Sequence, residues 1–362
     1  MIYKSRDDLK PVFSSNNVAV CLSSSDEYSI FAGVVIHSIA LNSSSDRQYD
    51  ITILTTNMSE PNMEYINRSV ESYPNISVRF FNINDIVSGM NFYTWASFSV
   101  YTYFRLLIPD LFVNYDKVIY LDSDIIVNHD IGELYDTDVS GYLLAAARDT
   151  HVVGSIQNTE MKVQQFDYYM EVIGVTDLCS YFQCGVSLYN ITEFRKSFAE
   201  GYLISEASSR KLLWLDQDLM NIIAKGRILA LDNKWNVMVI NDRNNVDEDH
   251  LIPEFYSAYW AARKDPYIVH YVGKSMPCYM ENSDLGDLYW KYARTSVFYE
   301  RLIMLMCRSD AERIRQGTSF KSKVKHRIIM PVVNVFFPPY TNRRKKLKKF
   351  YFKLRGWDCD AF

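Results

Sequence analysis

Residues Lys117–Val127 read KVIYLDSDIIV, an apolar run that carries two carboxylates, Asp122 and Asp124, one residue apart. The run has the composition of a buried strand. Side chains alternate along an extended backbone, so both carboxylates can project to one side where the strand gives out, with Ser123 turned away. Two adjacent acids repel unless a positive charge lies between them. A divalent cation held by oxygen ligands meets that need, and in open α/β sheets ligands gather outside the carboxyl ends of the strands. The stretch therefore points to a metal-diphosphate site, against the plainer alternative that two acids after a strand begin a turn.

A chain of 362 residues, 48% of them apolar and 15% aromatic, can bury one large core or two smaller ones. The opening MIYKSRDDLKPVF has no apolar leader core, and no apolar run reaches the roughly eighteen residues of a membrane span, so neither a signal peptide nor a span is expected. The six cysteines are scattered without a CxxC pair. That spacing suits reduced thiols in a cytosolic protein better than a zinc site or a disulfide frame. The net charge of −4 hides an asymmetry: Arg313–Trp357 holds fourteen Lys/Arg and no Asp/Glu. Such a block speaks of partners, not of fold.

Asn17–Leu22 is a first strand by composition, followed by the polar loop Ser23-Ser24-Ser25-Asp26-Glu27 and a helix over Tyr28–Leu41. Neither GxGxxG nor GxxxxGK[ST] occurs, so the loop suits a base or ribose better than a phosphate. Strands over Asp50–Thr55 and Ile76–Phe81 flank a helix over Glu60–Tyr73, and this alternation predicts an α/β fold with a mostly parallel sheet flanked by helices. Phe98–Leu107 reads as an apolar helix with one cation, Arg105. A cation in such a setting needs an anion, either Asp110 or Asp116 in a plain ion pair or a ligand in a site. Leu143–Arg148, ending at Asp149, and Gly185–Tyr189 are further strands. Trp214–Lys225 begins with Asp216-Gln217-Asp218, acids that commonly cap a helix, and runs on as an amphipathic helix. Tyr267–Val272 is a strand holding His270, followed by Gly273 and Lys274. A lone His in such a strand is ordinarily a core residue. Combined with the acid pair, it can complete a coordination sphere, with the Gly-Lys turn as a diphosphate clamp.

Five stretches in this order, TYFRLLIPDLF (Thr102–Phe112), KVIYLDSDIIV, FQCGVSLYN (Phe182–Asn190), LDQDLMN (Leu215–Asn221) and HYVGKSMP (His270–Pro277), make the chain resemble the family 8 glycosyltransferases, which include bacterial lipopolysaccharide galactosyltransferases and glycogenin. The resemblance covers roughly residues 17–280. It implies a GT-A fold and a retaining transfer of a hexose from a UDP-sugar, UDP-galactose or UDP-glucose, with Mn2+ or Mg2+. It further implies Asp122, Asp124 and His270 as metal ligands, and Gln217 beside the anomeric carbon with Asp218 as its acidic neighbour. Donor contacts would come from Ser23, Asp26, Arg105, Ser123, Asp149, Gln183, Gly273 and Lys274. The chain departs from the family pattern in three places. Ser25 stands at the usual acidic position beside Asp26, Gln183-Cys184-Gly185 replaces Asn-Ala-Gly, and Met276 and Cys278 replace Lys and Trp.

The expected organisation is a transferase domain over 1–280 and a helical C-terminal region over 281–362, with Asp284–Met306 as one long helix. Ile328–Tyr340 is apolar but broken by prolines, and the following RRKK and KKFYFKLRGW interleave cations with aromatics. That pattern suits the surface of an anionic membrane better than nucleic acid, for which the apolar stretch has no use. The expectation is a cytoplasmic enzyme held peripherally on the inner face of the cell membrane, acting on a glycan or lipid-linked acceptor. Two other readings stay open on sequence: a haloacid-dehalogenase-like phosphatase, whose first motif is also a strand followed by DxD, and a catalytically impaired sugar-nucleotide or glycan binder.

Overall fold

Apolar strands alternating with amphipathic or buried helices assemble into one large sheet with helices on both faces. A computed structural model describes residues 2–318 apart from 4, 96–97, 158–166, 177 and 240–251, together with Phe336 and Arg343. The strands are β1 (Ile2–Tyr3), β2 (Asn17–Ser23), β3 (Gln48–Thr55), β4 (Ile76–Asn82), β5 (Lys117–Leu121), β6 (Ile125–Val127), β7 (Leu144–Arg148), β8 (Phe182–Asn190), β9 (Ile228–Ala230), β10 (Val237–Met238) and β11 (Ile268–His270). Eight of them form the main sheet in the order β1-β4-β3-β2-β5-β8-β7-β9. The half from β1 to β5 is parallel throughout, and β8 runs antiparallel to both neighbours, β5 and β7. The expected mostly parallel sheet is present, with β8 as its reversed member.

The sheet separates two cores. Along β2, Val18, Val20 and Leu22 face the layer that holds α1 (Ser29–Leu41), while Ala19 and Cys21 face the layer of Phe104, Leu107 and Leu219. This is the period-two alternation of a strand buried on both sides. Every residue of α1 except Leu41 is buried. It is covered from outside by the C-terminal helices, so a segment that is apolar all round finds partners all round.

The stretch 117–127 is not one strand. After Leu121 the Asp122 N–H makes a last bond to the Gly185 carbonyl, 2.8 Å, and the chain then leaves the main sheet. Asp122-Ser123-Asp124 form the crossover, and β6 joins a second sheet of order β10-β11-β6. There β6 pairs antiparallel with β11, placing Ile125 opposite His270. The acids therefore lie between two sheets, and the second sheet delivers the histidine.

Three other expectations shift. Val100–Leu107 forms a 3-10 turn with its start capped by Ser99, not an α-helix. The helix after β3, α2 (Glu60–Arg68), ends five residues early. The long helix expected over 284–306 is two, Gly286–Ala293 and Tyr299–Thr318, with the Ser296 hydroxyl accepting the Phe298 N–H at 3.3 Å between them. Tyr289, Tyr292, Phe298 and Leu302 belong to the same core as α1. The division at residue 280 thus separates chain segments and not cores, at least as far as Leu302. Among the described residues no helix is long and apolar enough to cross a membrane. Cys21, Cys179, Cys184, Cys278 and Cys307 are free thiols. The stretch assigned to a membrane surface, 328–362, lies outside the described residues except for Phe336 and Arg343.

Candidate active site

The crossover between the sheets turns the two carboxylates toward β11. Asp124 Oδ1 lies 3.1 Å from His270 Nε2, and Asp122 Oδ2 lies 3.8 Å from the same nitrogen. One ligand atom from each of the three residues falls within 4.8 Å of the others. Two carboxylates and an imidazole form a donor set suited to a borderline divalent cation such as Mn2+. The backbone leaves room for it. A Cβ at Gly185 would collide with Asp122 Oδ2 and His270 Cε1, so only glycine lets β8 pass behind the cluster.

Asp124 is held from a second side, because its Oδ2 accepts the Gly273 N–H at 2.9 Å. Gly273 has φ +60°, the left-handed region that glycine enters freely, and this aims its N–H back at the acid. Burial opposes the charge on both Asp124 and His270. Their mutual attraction wins, holding the carboxyl below its ordinary pKa and the imidazole above its own.

Arg105 pairs with neither Asp110 nor Asp116. Its Nη2 donates to Asp122 Oδ1 at 2.8 Å, its Nε lies 2.8 Å from Asp216 Oδ2, and its guanidinium stacks 4.4 Å from the Tyr120 ring centroid. Tyr120 also donates its hydroxyl to Asp122 Oδ1 at 2.9 Å. Asp122 is therefore oriented from behind while Oδ2 stays toward the histidine. Asp216 is fully buried, and burial raises its carboxyl to about 6 against the opposing pull of Arg105.

Gln217 meets Asp149. Its Nε2 donates to Asp149 Oδ2 at 2.9 Å and its Oε1 accepts the Cys184 N–H at 3.2 Å. Asp149 Oδ1 in turn accepts the Val152 N–H at 2.9 Å, at the start of the helix Thr150–Gln157. The Gln217 helix, Leu215–Ile223, is entered through Leu215 at φ +52°, a conformation that a bulky L residue adopts only under constraint from its surroundings.

Other residues expected at the site also have partners within the protein. Asp26 Oδ1 accepts the Ser59 N–H and the Asn62 amide, each at 2.7 Å, tying the first loop to α2. Ser23 Oγ meets the Tyr120 hydroxyl at 2.8 Å, and its carbonyl accepts Ser123 Oγ at 3.1 Å, so both serines lace β2 to the crossover. Asp218 has no exposed surface. Its Oδ1 accepts the Tyr181 hydroxyl at 2.6 Å, and its Oδ2 accepts the Tyr168 hydroxyl at 2.7 Å and the Trp214 N–H at 2.6 Å. It reaches Gln217 through Tyr181, whose hydroxyl lies 3.2 Å from Gln217 Nε2. Gln183 Oε1 accepts the Gly185 N–H at 2.7 Å and the Asn236 amide at 2.6 Å, behind His270. Met276 and Cys278 are buried in the core with α1. The Lys274 backbone lies in the turn Gly273–Ser275.

Asp216, Tyr120, Gly185 and Asn236 are site neighbours that the sequence did not single out. For Asp216 a signal existed, since residues two apart on a helix lie on opposite sides, so Asp216 and Asp218 cannot both face the acid pair. For Asn236 none existed before the pairing of β10 and β11 was known.

A mostly parallel sheet flanked by helices, whose central strand runs out into paired carboxylates with a histidine brought to them from a second small sheet, is the architecture of the GT-A glycosyltransferases. The model of glycosyl transferase family 8 matches residues 19–277, and the chain belongs to that family as a glycosyltransferase. This removes the phosphatase reading. A putative glycosyltransferase of Haemophilus influenzae is 26% identical over 286 residues, 76% of this chain and 79% of that one. General stress protein A of Bacillus subtilis is 24% identical over 70% of this chain and 84% of its own. The apo structure of the bifunctional glycosyltransferase WbbM superposes with a TM-score of 0.73 at 30% identity, over 82% of this chain. The chain spans 53% of WbbM, about half of that bifunctional protein. The galactosyltransferase LgtC, solved with donor and acceptor sugar analogues, shares the fold with a TM-score of 0.56 at 22% identity, over 80% of this chain and 95% of its own.

Proposed function

We propose that this enzyme moves a hexose from a UDP-sugar, UDP-galactose or UDP-glucose, to a glycan or lipid-linked acceptor with retention at the anomeric carbon. The observation that carries the reading is the convergence of Asp122, Asp124 and His270 ligand atoms within 4.8 Å, beside the turn whose Gly273 N–H bonds Asp124. These residues would hold a divalent cation, Mn2+ or Mg2+, which when bound neutralises charge on the departing diphosphate. Arg105 holds Asp122 and Asp216 in place. Asp149 and Gln217 form one hydrogen-bonded unit that can address sugar hydroxyls and the anomeric region, in keeping with their roles in the family pattern.

Same-face attack by the acceptor is favoured over a covalent double displacement. The carboxylate next to Gln217, Asp218, is enclosed and has three donors on its oxygens, so it is no free nucleophile. An aromatic wall of Trp95, Phe98, Trp214 and His151, with neighbouring ring centroids 5.4–6.4 Å apart, stands beside the Gln217 helix and supports a sugar ring as acceptor. The C-terminal cations and aromatics support a membrane-borne acceptor met from the cytoplasmic side.

The test is UDP release from a panel of UDP-sugars with Mn2+, comparing the natural chain with Asp124→Asn. The variant is expected to lose at least about a hundredfold, the scale of removing a ligand to a catalytic metal. Equal turnover in the two would end the metal-transferase reading, and UDP binding without release in the natural chain would leave a binder.

A further inference from the structure

Asn236 closes the turn Asn233–Asn236 directly before β10. Its Oδ1 lies 3.0 Å from His270 Nδ1, and its Nδ2 lies 2.6 Å from Gln183 Oε1. The same Gln183 atom faces the Gly185 N–H at 2.7 Å. Asn236, His270 and Gln183 are all buried, so water does not compete for these bonds.

The proton positions follow from one fixed point. A backbone N–H only donates, so the Gln183 atom facing Gly185 must be the amide oxygen. With an oxygen there, the Asn236 atom facing it must be the NH2 group. The other end of Asn236, facing His270, is then its carbonyl oxygen, which only accepts. His270 Nδ1 must therefore carry a proton, and Nε2, the nitrogen turned toward Asp122 and Asp124, is the one that can offer a lone pair.

We propose that Asn236, locked by Gln183, is a positioning residue that holds His270 as the Nδ1–H tautomer and aims Nε2 at the cation. The proposal deepens the metal-dependent reading above and rests on it. With Asn236 flipped, its NH2 would face Nδ1, the ring proton would move to Nε2, and the ligand would be lost. The flip would also set two amide oxygens against each other at the Gln183 contact, so the chain Gly185–Gln183–Asn236–His270 has one consistent arrangement. Gln183, one methylene longer than the Asn of the family pattern, thereby has a use behind the histidine rather than at the sugar.

The experiment uses the full chain and two readouts: Mn2+ binding followed by electron paramagnetic resonance, and the 15N shifts of the His270 ring in protein loaded with diamagnetic Mg2+. Asn236→Leu, close in size but without an acceptor, is expected to weaken Mn2+ binding roughly ten- to a hundredfold and to bring in the Nε2–H tautomer. Asn236→Asp keeps an acceptor toward Nδ1 but sets its second oxygen against Gln183 Oε1, and is expected to retain the Nδ1–H ring and to bind Mn2+ more tightly than the Leu variant and less tightly than the natural chain. Gln183→Met leaves Asn236 in place but unanchored, and is expected to give mixed tautomers and an intermediate loss. Ring shifts and Mn2+ affinity unchanged in both Asn236→Leu and Gln183→Met would overturn the assignment. A natural chain that binds neither Mn2+ nor Mg2+ overturns the metal reading instead, and with it the role of Asn236.

Discussion

Glycine is dictated at position 185 by what faces it. The missing Cβ is the space in which Asp122 Oδ2 and His270 Cε1 stand, and Gln183 Oε1 would lie 3.0 Å from that carbon as well. From Val186 onward β8 is ladder-bonded to β5, and the Gly185 carbonyl itself accepts the Asp122 N–H at 2.8 Å, so an added methyl presses on the ligands. Gly185→Ala is expected to cost about 1–3 kcal/mol of stability by overpacking and to lower Mn2+ affinity roughly ten- to a hundredfold. Thermal melts and calorimetric titration with Mn2+ measure the two. A variant that binds Mn2+ like the natural chain would show that Asp122 and His270 do not share a cation at this place. The acid pair and the histidine were legible at this scale because their residue types at a strand end are chemically expensive unless used. The partner of Arg105 was not, because the acids nearest in sequence, Asp110 and Asp116, point elsewhere, and the actual partners are 17 and 111 residues away, at Asp122 and Asp216.

At the scale of elements, the Gln217 helix shows a buried acid used for position. Burial raises the Asp218 carboxyl to about 6 even though Tyr181, Trp214 and Tyr168 donate to it. The unfolded chain titrates it near 3.8, so between about pH 4 and pH 6 the folded state binds a proton that the unfolded state has released. Folding stability from this group is therefore greatest below that window and falls as pH rises through it, by at most about 3 kcal/mol. Asp218→Asn removes the titration. Its melting temperature relative to the natural chain is expected to rise from pH 4 to pH 7, and a parallel pair of profiles would mean that the carboxyl titrates normally. The elements themselves were largely legible, since strands β2 to β5 and helix α1 follow from apolar period and length. The break inside 117–127 was not. Apolar residues continue on both sides of the acids, and only the departure of β6 to pair with β11 ends the first strand at Leu121. The 3-10 turn at 100–107 escaped for a related reason, because its residues are apolar enough for a helix while Pro109 and the Arg105 contacts fix a tighter course.

At the scale of the molecule, the question is where the chain can be cut. The match to the family ends at residue 277, and the sequence suggested a boundary at 280 because charge and composition change beyond it. Packing does not follow that boundary. The Phe298 ring lies against Gly33 in the middle of α1, where a Cβ would collide with it. His37 of α1 bonds the Thr295 hydroxyl at 3.0 Å, and the Asn42 amide just after α1 donates to the Tyr292 hydroxyl at 3.0 Å. A helix buried on every side cannot lose one cover without exposing a continuous apolar face to water, at about 25 cal/mol for each Å² uncovered. A chain ending at 280 is therefore expected to aggregate or to melt far below the full protein, whereas one ending at 318 keeps its melting temperature and its UDP release. Phe298→Ala should reproduce part of the loss, about 3–5 kcal/mol for a buried aromatic truncated in a core. The proposed membrane role is separated by the same pair of chains. If the basic and aromatic residues beyond 318 hold the protein to an anionic surface, the 1–318 chain stays active in solution but no longer sediments with vesicles rich in anionic lipid, and the difference between the two chains shrinks as salt screens the attraction. Equal sedimentation of both chains would assign the surface to the folded body instead, and a stable, active 1–280 chain would show that α1 does not need the helices that cover it.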